Sequence, residues 1–316
     1  STRTDTLFPY TTLFRSPRRR PSPRPRSMPR AIGACRLWCS RASPSSGRTG
    51  SKWRNGGWSR RGWCAVTPEH FASFDGTQIA VHTEGEGRPV ILLHGLFSSA
   101  HMNWIKWGHS ARLAAAGFRA IMPDFRVHGQ SDAPQAPAAY PPGVLVRDVA
   151  ALIDHLGLED GAYDLVGFSL GARTAVHGCA TGVFAPRRLV LAGMGVSGLA
   201  DWTRRSTFFQ RVIDEFDTIT RDDPAWLSRQ FLKSQGVDRV AARLLLGAFE
   251  DLDLAGLANV TTPTLVICGV NDQDNGSARD LAALLPDATY EEVPGGHLDS
   301  ATKPELGEGI LRFLNA

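Results

Sequence analysis

Two stretches of this chain are apolar without interruption: Val90-Ile91-Leu92-Leu93 and Leu265-Val266-Ile267-Cys268. A strand with one face in water alternates apolar and polar residues. A strand covered by helices on both faces reads as a continuous apolar run. Arg119-Ala120-Ile121-Met122 and Leu189-Val190-Leu191-Ala192 extend the central set, and Ile79-Ala80-Val81-His82, with polar neighbours, suits an early edge strand. Helical patterns at Ser110–Ala116, Pro142–Leu156 and Leu170–Ala180 fall between these runs. Strands alternating with helices predict an α/β fold, a mostly parallel central sheet of about eight strands with helices on both faces and right-handed connections. The loops at the carboxyl ends of such strands converge on one edge, where ligands bind.

Chemistry-bearing residues gather at those ends. Tyr163-Asp164-Leu165-Val166 runs into Gly167-Phe168-Ser169-Leu170-Gly171 and then into a helical pattern. Strand, tight turn with a central Ser, and helix form the setting of a nucleophile elbow. The first apolar run ends in His94-Gly95. Met122-Pro123 leads into Asp124-Phe125-Arg126-Val127-His128-Gly129-Gln130-Ser131. Cys268-Gly269 leads to Asp272, and Val293-Pro294-Gly295-Gly296 leads to His297.

Over roughly residues 70–316, in the order of these five motifs, the chain resembles the α/β-hydrolase fold family. The resemblance implies a serine hydrolase of a small or medium carboxylic ester, with Ser169 as nucleophile, His297 as its base and Asp272 orienting the base. A serine hydroxyl is a poor nucleophile unless a base takes its proton, and the base needs an orienting group. Asp274 is a rival for the acid, but the Gly-x-x-Asp spacing from Gly269 favours Asp272. The strand ending Leu191-Ala192-Gly193-Met194-Gly195 carries no carboxylate that could replace it. The resemblance also implies backbone oxyanion donors at Leu170 and Leu96, with Phe97 as an alternative to Leu96, and a structural role for His94. The family commonly has Gly where this chain has Val127. A β-branched residue disfavours positive φ, so the turn is expected to differ locally, with an internal ion pair or hydrogen-bond network among its polar residues. Dehalogenases and epoxide hydrolases of this fold have Asp at the nucleophile position, so Ser169 argues against those reactions. Carbon–carbon bond hydrolases, lactonases, perhydrolases and acyltransferases remain compatible. A non-enzymatic small-molecule receptor is the reading from another class.

Residues 197–257 break the strand–helix alternation. Phe208-Phe209, Val212-Ile213 and Phe216 recur at helical spacing, as do Trp226, Phe231, Leu232 and Leu244–Leu246. Asp223-Pro224 reads as a helix N-cap followed by Pro at the first helical position. The segment is expected to be a helical cap over the site, inserted between core segments 66–196 and 258–316. Phe97, Phe168, Trp202, Phe208 and Phe209 are candidates for an apolar substrate pocket.

Residues 1–65 carry 15 Lys and Arg against the single acid Asp5, a net of +14. The whole chain is +4, so the remainder carries 4 − 14 = −10, which argues against a nucleic-acid partner. The basic segment is rich in Arg, Pro and Ser and is expected to be disordered. Its Thr6–Ser16 stretch reads as a translated sequencing adapter, so the segment is taken as an artefact and not a targeting signal. The folded chain is expected to start at Val66, which a bacterial GTG codon supplies, and to be cytoplasmic. No run of 18 apolar residues predicts a membrane span. Cys179 and Cys268 read as inert core thiols. There is no His-Glu-x-x-His and no dinucleotide fingerprint. His177 with Cys179 is too few ligands for a metal, and Asp272-Gln273-Asp274-Asn275 lacks the downstream Glu of a calcium loop. Neither a metal nor a cofactor is expected.

Overall fold

The computed structural model describes residues 68–316. The readings made on residues 1–65, and on a start at Val66, lie outside the described residues. Eight strands form one sheet in the order β1-β2-β4-β3-β5-β6-β7-β8. They are β1 (Glu69–Ala72), β2 (Gln78–Glu84), β3 (Arg88–Leu93), β4 (Phe118–Pro123), β5 (Asp164–Phe168), β6 (Leu189–Ala192), β7 (Thr264–Gly269) and β8 (Ala288–Val293). β2 runs antiparallel to both β1 and β4, and all pairings from β4 to β8 are parallel. The strand expected at the edge is therefore one place in. The short β1 covers it, pairing Phe71 with Ile79, and its four residues gave too little periodicity to read.

The uninterrupted apolar runs have a direct cause. On β3, Ile91 and Leu93 pack into a core layer with α2 (Val144–His155), α3 (Leu170–Ala180) and α8 (Ala278–Leu284). Their neighbours Val90 and Leu92 point the other way, to α1 (His109–Ala115) and α10 (Pro304–Asn315). Each such side chain is buried, contributing roughly 1.5–3 kcal/mol relative to exposure. A polar residue at any of these positions would face protein on either side of the sheet.

Between β6 and β7 the chain forms four α-helices, α4 (Val196–Ala200), α5 (Trp202–Asp214), α6 (Trp226–Ser234) and α7 (Arg239–Gly247), and a 3-10 helix, Leu254–Asn259. α6 begins two residues after Pro224. Asp223 ties the preceding turn instead, accepting the Ala225 amide at 2.8 Å and pairing with Arg211. The one-turn helix α9 (His297–Ser300) follows β8. Among the described residues, no helix is long and apolar enough to cross a membrane.

Candidate active site

The turn between β5 and α3 admits little besides its own sequence. A Cβ at Gly167 would lie 2.3 Å from the Gly171 carbonyl carbon, and one at Gly171 would lie 2.2 Å from the Leu93 carbonyl oxygen. Both positions therefore take only glycine. Ser169 sits between them at φ 53°, ψ −112°, and its amide donates to the Ala192 carbonyl at 2.8 Å. A positive φ on a side-chain-bearing residue stores about 1–3 kcal/mol, and strain of this kind concentrates at functional sites.

Three side chains from distant parts of the chain meet here. Ser169 Oγ–H donates to His297 Nε2 at 2.9 Å. His297 Nδ1–H donates to Asp272 Oδ2 at 2.8 Å. Asp272 is buried at the end of β7 and also accepts the Asp274 amide at 3.1 Å and the Cys268 thiol at 3.4 Å. Burial raises the Asp272 carboxyl. The hydrogen bond from His297, with those from the Asp274 amide and the Cys268 thiol, outweighs that and holds it below the usual carboxylate range. Cys268 is pushed up by burial and by the neighbouring carboxylate, so it stays a thiol and a donor. The expected inert core thiol thus touches the acid. Strand periodicity showed that Cys268 is buried, not that the loop after β7 folds Asp272 back onto it. Asp274 is exposed, and what it gives Asp272 is its amide.

Glycines also make room for the imidazole. Gly193, just after β6, has φ 58°, and a Cβ there would lie 3.3 Å from His297 Cε1. Space there is tight for a side chain, consistent with the missing carboxylate at this strand end. Gly295 turns the chain at φ 105° ahead of α9. Phe168 is buried against the His297 ring, with centroids 5.2 Å apart, and so supports the imidazole more than it lines an opening.

The loop after β3 lies beside the hydroxyl. A Cβ at Gly95 would be 3.5 Å from Ser169 Cβ. The Gly95 amide donates to buried Asn103 at 3.0 Å, a brace that no pattern in the sequence announced. Leu170 opens α3, where the first amides have no intrahelical acceptor. Among the described residues no hydrogen bond engages the Leu96 amide. The Phe97 amide, in contrast, donates to His128 Nε2 at 3.0 Å. It is already committed, whereas the Leu96 amide is not.

The turn after β4 keeps a positive φ, 77°, at Val127. A β-branched residue disfavours this conformation, and the residues beside it are firmly held. Arg126 is buried and bonds Asp148 through Nε at 2.7 Å and Nη2 at 2.6 Å, with Asp75 at 3.0 Å. Asp124 accepts the amides of Ala100 and Gln130.

The aromatic candidates form a chain from core to insertion. Phe97 meets Phe209 of α5 at 5.9 Å, and Phe209 stacks on Trp202 at 6.2 Å and meets Phe208 at 5.3 Å. Phe97 and Trp202 are buried, Phe209 is half-buried and Phe208 is exposed. Arg173, one turn past Ser169, holds the root of the insertion. It donates to the carbonyls of Gly198 at 2.9 Å, Leu199 at 2.8 Å and Glu250. Burial lowers its guanidinium to about 10, against the charge of Asp251.

Asp272, Asp274 and His297 bring potential metal ligands within 4.8 Å of one another. Both ring nitrogens of His297 are engaged by Asp272 and Ser169, so a cation held there would dismantle the hydrogen-bonded chain. The geometry fits proton transfer at Ser169 better than metal ligation.

Known proteins resemble this chain to different extents. Epoxide hydrolase 2 of Siraitia grosvenorii is 36% identical over 118 residues, 37% of this chain and 34% of that protein. The chain thus spans about a third of the length of this protein and of two further Siraitia grosvenorii epoxide hydrolases. A pyrrolizixenacetamide deacetylase of Xenorhabdus hominickii is 26% identical over 268 residues, 74% of this chain and 93% of that protein. A hydrolase structure from Pseudomonas aeruginosa PA01 superposes with a TM-score of 0.62 at 25% identity, covering 80% of this chain and 100% of that one. A thermophilic esterase from Thermogutta terrifontis gives 0.62 at 25%, covering 78% and 98%. Residues 90–305 match the family described as the Alpha/beta hydrolase family, and the chain belongs to it.

Proposed function

We propose that this protein is a serine hydrolase that cleaves a carboxylic ester, or a related acyl bond, through an acyl-enzyme on Ser169. The observation that carries the reading is the unbroken run from Ser169 Oγ through His297 to Asp272, at 2.9 and 2.8 Å. Oγ attacks the substrate carbonyl carbon as its proton passes to His297 Nε2. Asp272 stabilises the imidazolium, and the Leu96 and Leu170 amides stabilise the oxyanion. The imidazolium returns the proton to the departing alkoxide. The same ring then deprotonates a water, which attacks the acyl carbon and releases the acid and Ser169. In this reading the insertion between β6 and β7 is a cap, supported by the contact of Phe97 with Phe209, and its aromatics favour an apolar acyl or alcohol group. Lactone, carbon–carbon and acyl-transfer chemistry would pass through the same acyl-serine.

The identity to epoxide hydrolases raises epoxide opening as a second reading. The nucleophile separates the two. A carboxylate attacking an epoxide forms an ester, which water cleaves. A serine hydroxyl would form an alkyl ether, with no carbonyl for water to attack, and the enzyme would stall after one event. Ser169 therefore favours an acyl substrate.

The test is to treat purified protein with a fluorophosphonate probe, short-chain p-nitrophenyl esters and styrene oxide. Labelling mapped to Ser169, ester turnover, and loss of both in Ser169→Ala are expected. Catalytic diol release would favour the epoxide reading, and ligand binding without labelling or turnover would favour a receptor.

A further inference from the structure

Two histidines outside the Ser169–His297–Asp272 chain lock neighbouring turns to each other. His94 Nδ1–H donates to the Gly95 carbonyl at 2.8 Å, and its Nε2 accepts the Phe125 amide at 2.9 Å. His128 mirrors this. Its Nδ1–H donates to the Arg126 carbonyl at 2.9 Å, and its Nε2 accepts the Phe97 amide at 3.0 Å. Each ring belongs to one turn and takes an amide from the other. Carbonyls only accept and amides only donate, so both rings are held as neutral Nδ1–H tautomers. Their centroids are 5.2 Å apart and both are buried. Burial holds each below the usual imidazole range, His128 at about 3.

The residue His128 grips is under strain. Phe97 has φ 57°, which a side-chain-bearing residue keeps only when its surroundings impose it. With the Phe97 amide committed to His128, the adjacent Leu96 amide is left for another acceptor. On its other side Gly95 packs on Ser169.

We propose that His128 is a positioning residue for the reaction at Ser169: by holding the Phe97 amide, it fixes the loop whose Leu96 amide stabilises the oxyanion. This rests on the serine-hydrolase reading above. Without His128 the buried Phe97 amide loses its acceptor and the loop relaxes. The transition state then loses a donor while the bound ester, with less charge on its oxygen, loses little.

The full chain is compared with His128→Ala, which removes both ring contacts, and His128→Gln, whose amide can accept one N–H and donate to one carbonyl. Thermal melts establish that each is folded. His128→Ala is expected to lower kcat roughly tenfold or more with KM within about twofold, and to slow fluorophosphonate labelling in proportion. His128→Gln is expected to recover part of both. A folded His128→Ala labelled at the wild-type rate overturns the proposal. The imidazole ¹⁵N spectrum of the wild-type protein needs no variant to fold: an unprotonated Nε2 on His128 supports the clamp, and a protonated one overturns it. Absence of labelling in the wild-type protein would instead count against the serine-hydrolase reading, before any variant is compared.

Discussion

At the scale of single residues, function and stability pull Ser169 in opposite directions. Its backbone holds φ 53° between two glycines that cannot be replaced. Ser169→Gly removes the Cβ that makes this conformation costly, at the expense of about 0.5–1 kcal/mol of glycine entropy. The variant is expected to be more stable by about 1 kcal/mol in urea unfolding and to be inert to the fluorophosphonate. Asp272→Asn is expected to leave the fold intact and lower kcat by about a thousandfold or more, because an amide favours the wrong tautomer of His297. Steady-state kinetics on a p-nitrophenyl ester check this, and a loss confined to KM would contradict the role given to Asp272. The glycines and the serine were legible in the sequence because a tight strand-to-helix turn makes a local demand. Cys268, Asn103 and the grip of His128 on Phe97 were not. Each is a contact between segments whose approach depends on the whole sheet.

At the scale of elements, the turn after β4 shows how a segment can hold a conformation its own residues disfavour. Val127 keeps φ 77° because Arg126 is pinned by Asp148 on α2 and by Asp75. Asp148→Ala would leave a buried guanidinium with one carboxylate in place of two. The expected cost is about 3 kcal/mol, the low end for a broken buried pair since Asp75 remains. Unfolding by urea measures it, and a change under about 1 kcal/mol would mean the turn is held from elsewhere. The preference of Val127 against positive φ is local, and the buried ion pair beside it outweighs that preference. The parallel strands were readable because burial on both faces leaves a mark in every residue. β1 was not, because four residues at an edge leave almost none.

At the scale of the whole molecule, buried neutral imidazoles couple folding to acidity. The folded-state value of His128 is depressed to about 3, from about 6.5 in an unfolded chain. His94 and His109 are depressed in the same direction, chiefly by burial. The unfolded chain therefore takes up protons first as pH falls. The stability these groups contribute is fully present above about pH 6.5 and is lost progressively below it. Asp124 is also held below the usual carboxylate range: burial raises it, and the His82 bond with the amides of Gln130 and Ala100 outweighs that. Its contribution is lost only at lower pH, as the medium falls through that depressed value. The melting temperature is expected to decline from neutrality toward about pH 4.5, before most carboxylates titrate. A flat profile there would mean these rings are charged in the folded protein. Arg173 adds a mechanical consequence. One guanidinium rooted in the helix that follows Ser169 grips both ends of the excursion between β6 and β7, at Gly198 and Leu199 on the way out and Glu250 on the return. The excursion is tethered like a flag to a mast. Its far end, around α6, has no such tie to Arg173, so deuterium is expected to enter α6 well before it reaches Leu199 or Leu252.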